Sequence, residues 1–192
     1  MSAIIFDCEI KHGVITDNNQ AQLGYAYCNG WQDFSGMGVS VIGAYEVDTQ
    51  ATRVFCADNA ADWLALTAKA QHIVSFNGNR FDIPLLEAHD LGFDPDKSID
   101  LAALIWAAAG VLDDAHPKDL SLDAICKVNG IPGKTGSGAD APQNWQDGKI
   151  GRVIDYCLGD VRATAKLYEL IVLDGWIYNP RTMEMLHVRV PA

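Results

Sequence analysis

The feature that most constrains this chain is a short apolar segment near its start that carries two acidic side chains. Residues 2–10 read SAIIFDCEI, an apolar and β-branched run that is typical of a buried strand. Because side chains alternate along a strand, Asp7 and Glu9 share one face and Phe6 and Cys8 share the other. Two buried carboxylates are costly without a cation, and the segment contains no Lys or Arg. A bound metal ion explains them, and a solvated strand end stays an equal alternative for this triplet alone.

Two further acidic residues, Asp82 and Asp160, belong to the candidate site, and Asp82 is predicted at the sheet edge where α/β proteins gather functional groups. The segment NGNRFD puts Asn77 in a turn after an apolar strand and Asp82 in the first turn of the next helix. The helix dipole alone also explains an acid at Asp82. Tyr156 and Asp160 are four residues apart on a long predicted helix, so they share one face. This spacing is common on helices, and alone it indicates the edge of a core and solvent. Together with the strand acids, these carboxylates can hold two hard cations about 3.5–4 Å apart, an arrangement that supports phosphoryl transfer.

The remaining pattern predicts an α/β fold with a mixed five-stranded sheet flanked by helices, because antiparallel strands precede β-α-β units. Predicted strands cover residues 2–10, 39–47, 52–57, 72–76 and 98–101. Predicted helices cover residues 59–70, 81–91, 102–109, 120–129 and 149–173. Residues 11–36 and 130–148 are predicted as long loops and residues 176–190 as a hairpin. Since no linker separates two cores, we expect residues 1–192 to form one domain.

The three acidic segments resemble, in order, the three exonuclease motifs of the DEDD superfamily. They read FDCEI, SFNGNRFDIPLL and YCLGDVRATAKLY, and the segment DLSLDAICKVNG resembles the helix that precedes the third motif. The spacing of Tyr156 and Asp160 is similar to the DEDDy branch, which includes the proofreading domains of family B DNA polymerases. The likeness covers residues 2–173 apart from residues 11–36, and it does not extend to the tail after Gly175.

This resemblance implies an RNase H-like fold and a 3′–5′ exonuclease that releases nucleoside monophosphates with two Mg²⁺ or Mn²⁺ ions. The implied metal ligands are the four carboxylates of the motifs. Asp7, Glu9 and Asp160 would hold the ion that carries the attacking water. Asp7 and Asp82 would help to hold the second ion.

The same likeness implies that Tyr156 would orient the attacking water. Asn77 and Phe81 are candidate substrate contacts, and for Asn77 the role of making its turn is slightly favoured. We expect single-stranded DNA as the substrate. An exoribonuclease on the same fold and a non-catalytic module that binds nucleic acid both stay open. The length leaves no room for a polymerase module, so we expect a stand-alone nuclease.

The charge of the chain is unusual for a protein that binds phosphates, because its formal net charge is −11. Residues 1–100 carry 5 basic and 14 acidic side chains, whereas residues 118–166 carry 7 basic and 6 acidic ones. Because bound divalent cations can neutralise site carboxylates, charge alone neither supports nor excludes binding to nucleic acid. Five scattered cysteines without a Cys-x-x-Cys pair indicate free thiols in a reducing cytosol, and they argue against both a disulfide framework and a zinc site. No apolar run reaches the ~20 residues of a membrane span, and no signal-peptide pattern is present. We therefore expect a cytoplasmic protein that does not associate with membranes.

Some other patterns are weaker. The segment GKTGSG at residues 133–138 lacks the first glycine of a phosphate-binding loop and follows a helix, which argues against an ATPase. None of the five histidines stands four or five residues before Asp160, which disfavours the branch that uses a histidine base. Tyr25, Tyr27 and Trp31 are suited either to stacking on bases or to anchoring their loop on the core.

Overall fold

A computed structural model describes residues 2–15, 21–111, 117–133 and 138–191. The strands are β1 (Ala3–Ile10), β2 (Gly13–Val14), β3 (Tyr27–Cys28), β4 (Val39–Glu46), β5 (Ala51–Phe55), β6 (His72–Ser75), β7 (Ser98–Asp100), β8 (Trp176–Tyr178) and β9 (Met185–His187). The helices are α1 (Phe34–Met37), α2 (Ala60–Lys69), α3 (Asp82–Glu87), α4 (Leu101–Ala108), α5 (Leu122–Val128), α6 (Ala141–Gln146) and α7 (Ile150–Asp174).

β1 is the central strand of a five-stranded sheet in the order β5–β4–β1–β6–β7. It pairs antiparallel with β4 on one side and parallel with β6 on the other. β5 extends the antiparallel half and β7 extends the parallel half. The predicted mixed five-stranded sheet is therefore confirmed.

Helices cover both faces of the sheet, and apolar side chains pack between the helices and each face. Ile5 of β1 packs with residues of α4, α5 and α7 on one face. Phe6 and Cys8 pack with residues of α2 and α3 on the other face. The alternation along β1 is the one that the sequence predicts, and it directs Asp7 and Glu9 towards α7.

Two segments predicted as loops contain regular structure where they are described. Within residues 11–36, β2 and β3 form a small parallel pair. Within residues 130–148, a 3₁₀ turn at Gly138–Asp140 leads into α6, so the prediction of an unbroken loop is wrong there. Pro142 lies in the first turn of α6, where its missing N–H leaves no helical hydrogen bond unmade. Pro142, which in a helix interior would break the helix, is therefore compatible with its first turn.

Helix α3 is shorter than the predicted helix at residues 81–91. Asp90 takes a left-handed φ of 58°, and the Leu91 N–H donates to the Leu86 carbonyl at 2.9 Å. This pair closes the C-terminal turn of the helix. The helix therefore ends before Gly92, which the sequence predicts as its stop.

The tail of the chain forms the predicted hairpin, in which β8 and β9 pair antiparallel. Its turn is fastened to the body of the protein by Arg181, whose guanidinium donates to both carboxylate oxygens of Asp119 at 2.7 and 3.0 Å. Across the part of the chain that is described, no helix combines the length and the apolar character needed to cross a bilayer.

Candidate active site

The acidic face of β1 carries a compact cluster of candidate metal ligands. Carboxylate oxygens of Asp7 and Glu9 and the Sγ atom of Cys157 all lie within 4.8 Å of one another. Glu9 is only 7% exposed and Cys157 is fully buried. Protein therefore covers most of this cluster, and the alternative of a solvated strand end does not fit Glu9.

Gly43 allows α7 to lie directly on the sheet beside this cluster. Gly43 pairs with Asp7 across β4 and β1. A Cβ atom built at Gly43 would lie 2.9 Å from Cys157 Sγ and 3.2 Å from Val161 Cγ2, closer than ordinary van der Waals contact. The missing side chain thus permits the close approach through which the Cys157 thiol donates to the Asp7 carbonyl oxygen at 3.3 Å.

The third acidic segment reaches the site on α7. Asp160 is 8% exposed and lines a cleft together with Asp7, so the first and third segments meet in space. Tyr156 stands one helical turn earlier and is partly buried. Its hydroxyl lies beside Gly138, where an added Cβ atom would be 3.2 Å away from the hydroxyl oxygen.

Asp82 approaches β1 from the opposite layer of helices. Its Oδ1 atom accepts hydrogen bonds from the Cys8 N–H at 3.2 Å and from the Cys8 Sγ at 3.0 Å. Asp82 is 5% exposed, and this burial raises its pKa to about 6 against the effect of the Cys8 hydrogen bonds. The neighbouring Asp100 carboxylate contributes to the rise. A buried acid whose charged form is disfavoured in this way is one that a nearby cation would stabilise.

Asp100, a further buried carboxylate, holds the turn that carries Asn77 and leads to Asp82. It accepts hydrogen bonds from the Asn77 N–H at 2.8 Å, from the Asn79 N–H at 3.1 Å and from the first-turn N–H groups of α4. Asn77 itself adopts a φ of 67°, a region that asparagine tolerates well. The role of Asp100 was missed from the sequence, although an Asp between a strand and an Ala-rich helix is a typical N-cap signal.

A cleft of about 390 Å³ opens beside the acidic cluster. Its polar and aromatic lining consists of Asp7, Phe76, Asn77, Trp106, Lys118, Ser121 and Asp160. The volume lies within the range of about 300–1,000 Å³ that is usual for small-ligand pockets. The buried Oδ1 atom of Asn77 has no hydrogen-bond partner among the described residues, which makes it a candidate acceptor for a ligand. A larger depression of about 660 Å³ between β5 and α2 contains none of the predicted acids, so the smaller cleft is the relevant one.

The aromatic residues near the cleft divide into two groups. Phe81 lies outside the cleft wall, and its ring meets those of Trp31 and Phe34 with centroid distances of 6.2 Å in both cases. Trp31 is 56% exposed and so retains ring surface for a contact. The hydroxyls of Tyr25 and Tyr27 both make hydrogen bonds within the protein, which fits the role of loop anchors.

Most of the chain matches a family of known proteins. Residues 29–172, which are 144 of the 192 residues, match the family model described as the RNase H superfamily. This chain belongs to the RNase H superfamily. Membership supports a nuclease-type function with a nucleic-acid substrate and divalent metal ions. The match includes Asp82 and Asp160 and begins after β1, the strand that carries Asp7 and Glu9.

The fold of this RNase H superfamily member is similar to part of a solved polymerase. Over 89% of its length, the chain matches the structure of the family B DNA polymerase from the hyperthermophilic archaeon Pyrobaculum calidifontis, with a TM-score of 0.63 and 17% sequence identity. The match covers 24% of that polymerase chain, so this chain spans about a quarter of its length. The likeness shows the fold, and the predicted RNase H-like fold is confirmed. The sequence matches none of the curated proteins with which it was compared.

Proposed function

We propose that this chain is a metal-dependent 3′–5′ exonuclease that hydrolyses phosphodiester bonds at the 3′ ends of single-stranded DNA and releases nucleoside monophosphates. The supporting observation is the convergence of separate acidic segments. Asp7 and Asp160 line one cleft, Glu9 clusters with Asp7, and Asp82 reaches the same strand through Cys8. Convergent carboxylates are the groups that two-metal phosphoryl transfer requires.

The carboxylates of the three acidic segments support binding of a pair of Mg²⁺ or Mn²⁺ ions. Hard divalent cations take oxygen ligands, and the carboxylate oxygens of Asp7 and Glu9 lie within 4.8 Å of each other. Burial raises the pKa of Asp82 to about 6, a cost that a bound cation would offset. In the proposed arrangement, Asp7, Glu9 and Asp160 hold one ion, and Asp7 and Asp82 hold the other. When bound, the ions would activate a water molecule and stabilise the developing charge on the leaving oxygen.

The protein's own side chains are proposed to bind and orient the terminal nucleotide in the cleft. Lys118 offers a cation for a phosphate, and Asn77 offers a buried acceptor. Trp106 is only 7% exposed, so it shapes the wall of the cleft and leaves little ring surface for a base. Tyr156, held beside Gly138, is proposed to orient the attacking water through its hydroxyl.

The size of the cleft and the charge of the chain favour single strands over duplexes. Holding a long duplex requires many basic contacts to phosphates, whereas the chain carries 14 basic and 25 acidic side chains. The terminal nucleotides of a duplex would have to unpair before entering the cleft, at a cost of about a few kcal/mol. We therefore expect single strands and frayed 3′ ends to be degraded faster than blunt duplexes.

A 5′-labelled single-stranded oligodeoxynucleotide tests polarity and metal dependence together. With Mg²⁺ or Mn²⁺ we expect a descending ladder of products and free mononucleotides, and with a chelator we expect neither. Asp7→Asn and Asp160→Asn should abolish cleavage, whereas the matched control Asp155→Asn changes an exposed acid on the same helix and should leave the rate unchanged. Release of the 5′-terminal nucleotide first, or cleavage of a closed circular strand, would refute the proposed polarity.

The same assay separates the two alternatives. Degradation of an RNA oligonucleotide but not of its DNA counterpart would identify an exoribonuclease on the same fold. Binding of the oligonucleotide without cleavage at any concentration of Mg²⁺ or Mn²⁺ would identify a non-catalytic module. The presence of all four motif carboxylates in the sequence supports a catalytic protein.

A further inference from the structure

Cys157 adds a sulfur atom to the oxygen ligands on β1. We propose that Asp7, Glu9 and Cys157 form a site for a thiophilic divalent cation such as Zn²⁺ or Cd²⁺, which competes there with Mg²⁺ or Mn²⁺. The binding of the cation stands on the geometry of the cluster alone. Its consequence, inhibition of the nuclease by thiophilic cations, rests on the proposed function.

The distances within the cluster suit one shared cation. The ligand atoms of Asp7, Glu9 and Cys157 lie within 4.8 Å of one another. Typical Zn–S and Zn–O distances of about 2.3 Å and 2.0–2.2 Å put tetrahedral ligand atoms about 3.5 Å apart. Side-chain rotations that move the ligand atoms by about 1 Å therefore suffice for all three atoms to bind one ion.

The backbone around the cluster holds the sulfur in place. Cys157 lies within the long helix α7, and Asp7 and Glu9 lie on the central strand β1. The Cys157 thiol already points to β1, because it donates to the Asp7 carbonyl oxygen at 3.3 Å. The close approach of α7 at Gly43 keeps it there. Sites built on helices and strands are better preorganised than sites built on loops.

The chemistry of the ligand set determines for which cations Cys157 increases the affinity. Thiolate is a soft ligand that favours Zn²⁺ and Cd²⁺, whereas Mg²⁺ and Mn²⁺ favour carboxylate and water. Binding of the thiophilic cation transfers the thiol proton to solvent, and the sulfur then contributes a full negative charge to the ion. Cys157 therefore adds affinity for thiophilic cations and little for Mg²⁺.

Titration of the metal-free protein with Cd²⁺ tests the site without any substrate. Binding of one equivalent should produce a thiolate-to-metal charge-transfer band in the ultraviolet spectrum. Cys157→Ser should lose this band, and Asp7→Asn and Glu9→Gln should each weaken Cd²⁺ binding about 10-fold or more, since even outer partners of metal ligands contribute 10–100-fold. The matched control is Cys126→Ser, because Cys126 is also a buried helical cysteine but lies outside the cluster, and this variant should keep the band.

Circular dichroism establishes that each variant is folded. Absence of the band in the wild-type protein, or its persistence in folded Cys157→Ser, would overturn the proposal. If Cys157→Ser does not fold, the two carboxylate variants decide, and unchanged Cd²⁺ affinity in both of them overturns it.

The activity assay tests the inhibitory consequence. At a fixed ratio to the Mg²⁺ concentration each protein needs, the Zn²⁺ concentration that halves cleavage should be about 10–100-fold higher for Cys157→Ser than for the wild-type protein. An unchanged concentration would overturn the competitive role of the site. A wild-type protein that shows the Cd²⁺ band but no cleavage would contradict the proposed nuclease and not the cation site. Cleavage without the band would contradict the cation site alone.

Discussion

The contact between Gly43 and α7 predicts that one added methyl group, in Gly43→Ala, will reduce both stability and catalysis. The new Cβ atom would lie 2.9 Å from Cys157 Sγ, 3.1 Å from Leu158 Cδ2 and 3.2 Å from Val161 Cγ2. Optimal contacts between non-bonded carbon atoms are about 3.5–4.0 Å long. Since all three neighbours belong to one packed helix, α7 must move away from β4 by several tenths of an ångström.

Two opposing effects set the magnitude. Overpacking of a core by one methyl group costs about 1–3 kcal/mol. Replacement of Gly by Ala within a strand recovers about 0.5–1 kcal/mol of backbone entropy. We therefore expect Gly43→Ala to lower the free energy of unfolding by about 1–2 kcal/mol. Because α7 also carries Asp160 and Tyr156, and a 1 Å misplacement can cost about 10²-fold, the cleavage rate should fall about 10–100-fold.

Urea denaturation followed by circular dichroism measures the stability, and single-turnover cleavage measures the rate. The matched control is Gly151→Ala, at an exposed position of α7 where an added Cβ atom meets nothing within 4 Å. This control should leave stability unchanged or raise it by up to about 1 kcal/mol. Cys157→Ala removes the nearest neighbour, so the double variant should regain part of the lost stability, with a coupling energy of about 0.5–3 kcal/mol.

The reasoning fails if Gly43→Ala behaves like Gly151→Ala in both assays. It also fails if the effects of Gly43→Ala and Cys157→Ala on stability simply add, because additivity would mean that the two side chains do not collide. A loss of activity without a loss of stability would show that α7 can move at no energetic cost, contrary to the close packing described here.

Three other substitutions have expected outcomes of their own. Asp100→Ala removes the acceptor for N–H groups in the Asn77 turn and in the first turn of α4, and it should lower the free energy of unfolding by about 3–5 kcal/mol. Asp100→Asn keeps one acceptor oxygen and should lower this free energy by about half as much. Equal losses in the two variants would contradict this account. Burial raises the folded-state pKa of Asp82 from 3.8 to about 6, so the folded protein holds a proton that the unfolded chain releases. Metal-free protein should therefore lose up to about 3 kcal/mol of stability as the pH rises from about 4 to about 6, and an unchanged slope in Asp82→Asn would exclude Asp82 as the source. Tyr156→Phe should lower the single-turnover rate by about 10²–10⁴-fold with unchanged metal affinity, and an unchanged rate would assign Tyr156 a structural role.

The predictions from sequence that succeed depend on local patterns. The alternation of apolar and acidic side chains from Phe6 to Ile10 predicts the two faces of β1, because the period of a strand is fixed by its backbone. The sequence also predicts α7, because its apolar stripe extends over many turns. Gly175, which follows the last residue of the helix, adopts the left-handed conformation that typically ends a helix. The order of the elements then restricts the sheet to a mixed one.

The features that the sequence did not predict depend on contacts between distant residues. Cys157 joins the cluster of Asp7 across 150 positions of the chain, and only the missing side chain of Gly43 allows that contact. Lys118 and Trp106 meet in the cleft although no spacing relates them. Local spacing in the sequence does not predict such long-range contacts, because the contacts depend on how closely helices and strands pack.

The pairing of β1 explains how Asp82, from the opposite layer of helices, reaches the strand that carries Asp7 and Glu9. β1 pairs with β6 only from Ala3 to Ile5, whereas its pairing with β4 continues to Ile10. The parallel neighbour therefore ends before the acidic half of β1, where the chain turns away and leads to α3. The Cys8 N–H in this half donates to Asp82, so Asp82 occupies the edge that β6 leaves open. A strand with an antiparallel neighbour on one side and a shorter parallel neighbour on the other thus creates a gap, the kind of switch point where α/β proteins bind ligands. Extending β6 past Ser75 would fill this gap and separate Asp82 from β1, which is why the turn at Asn77, fastened by Asp100, is as necessary to the proposed site as the carboxylates themselves.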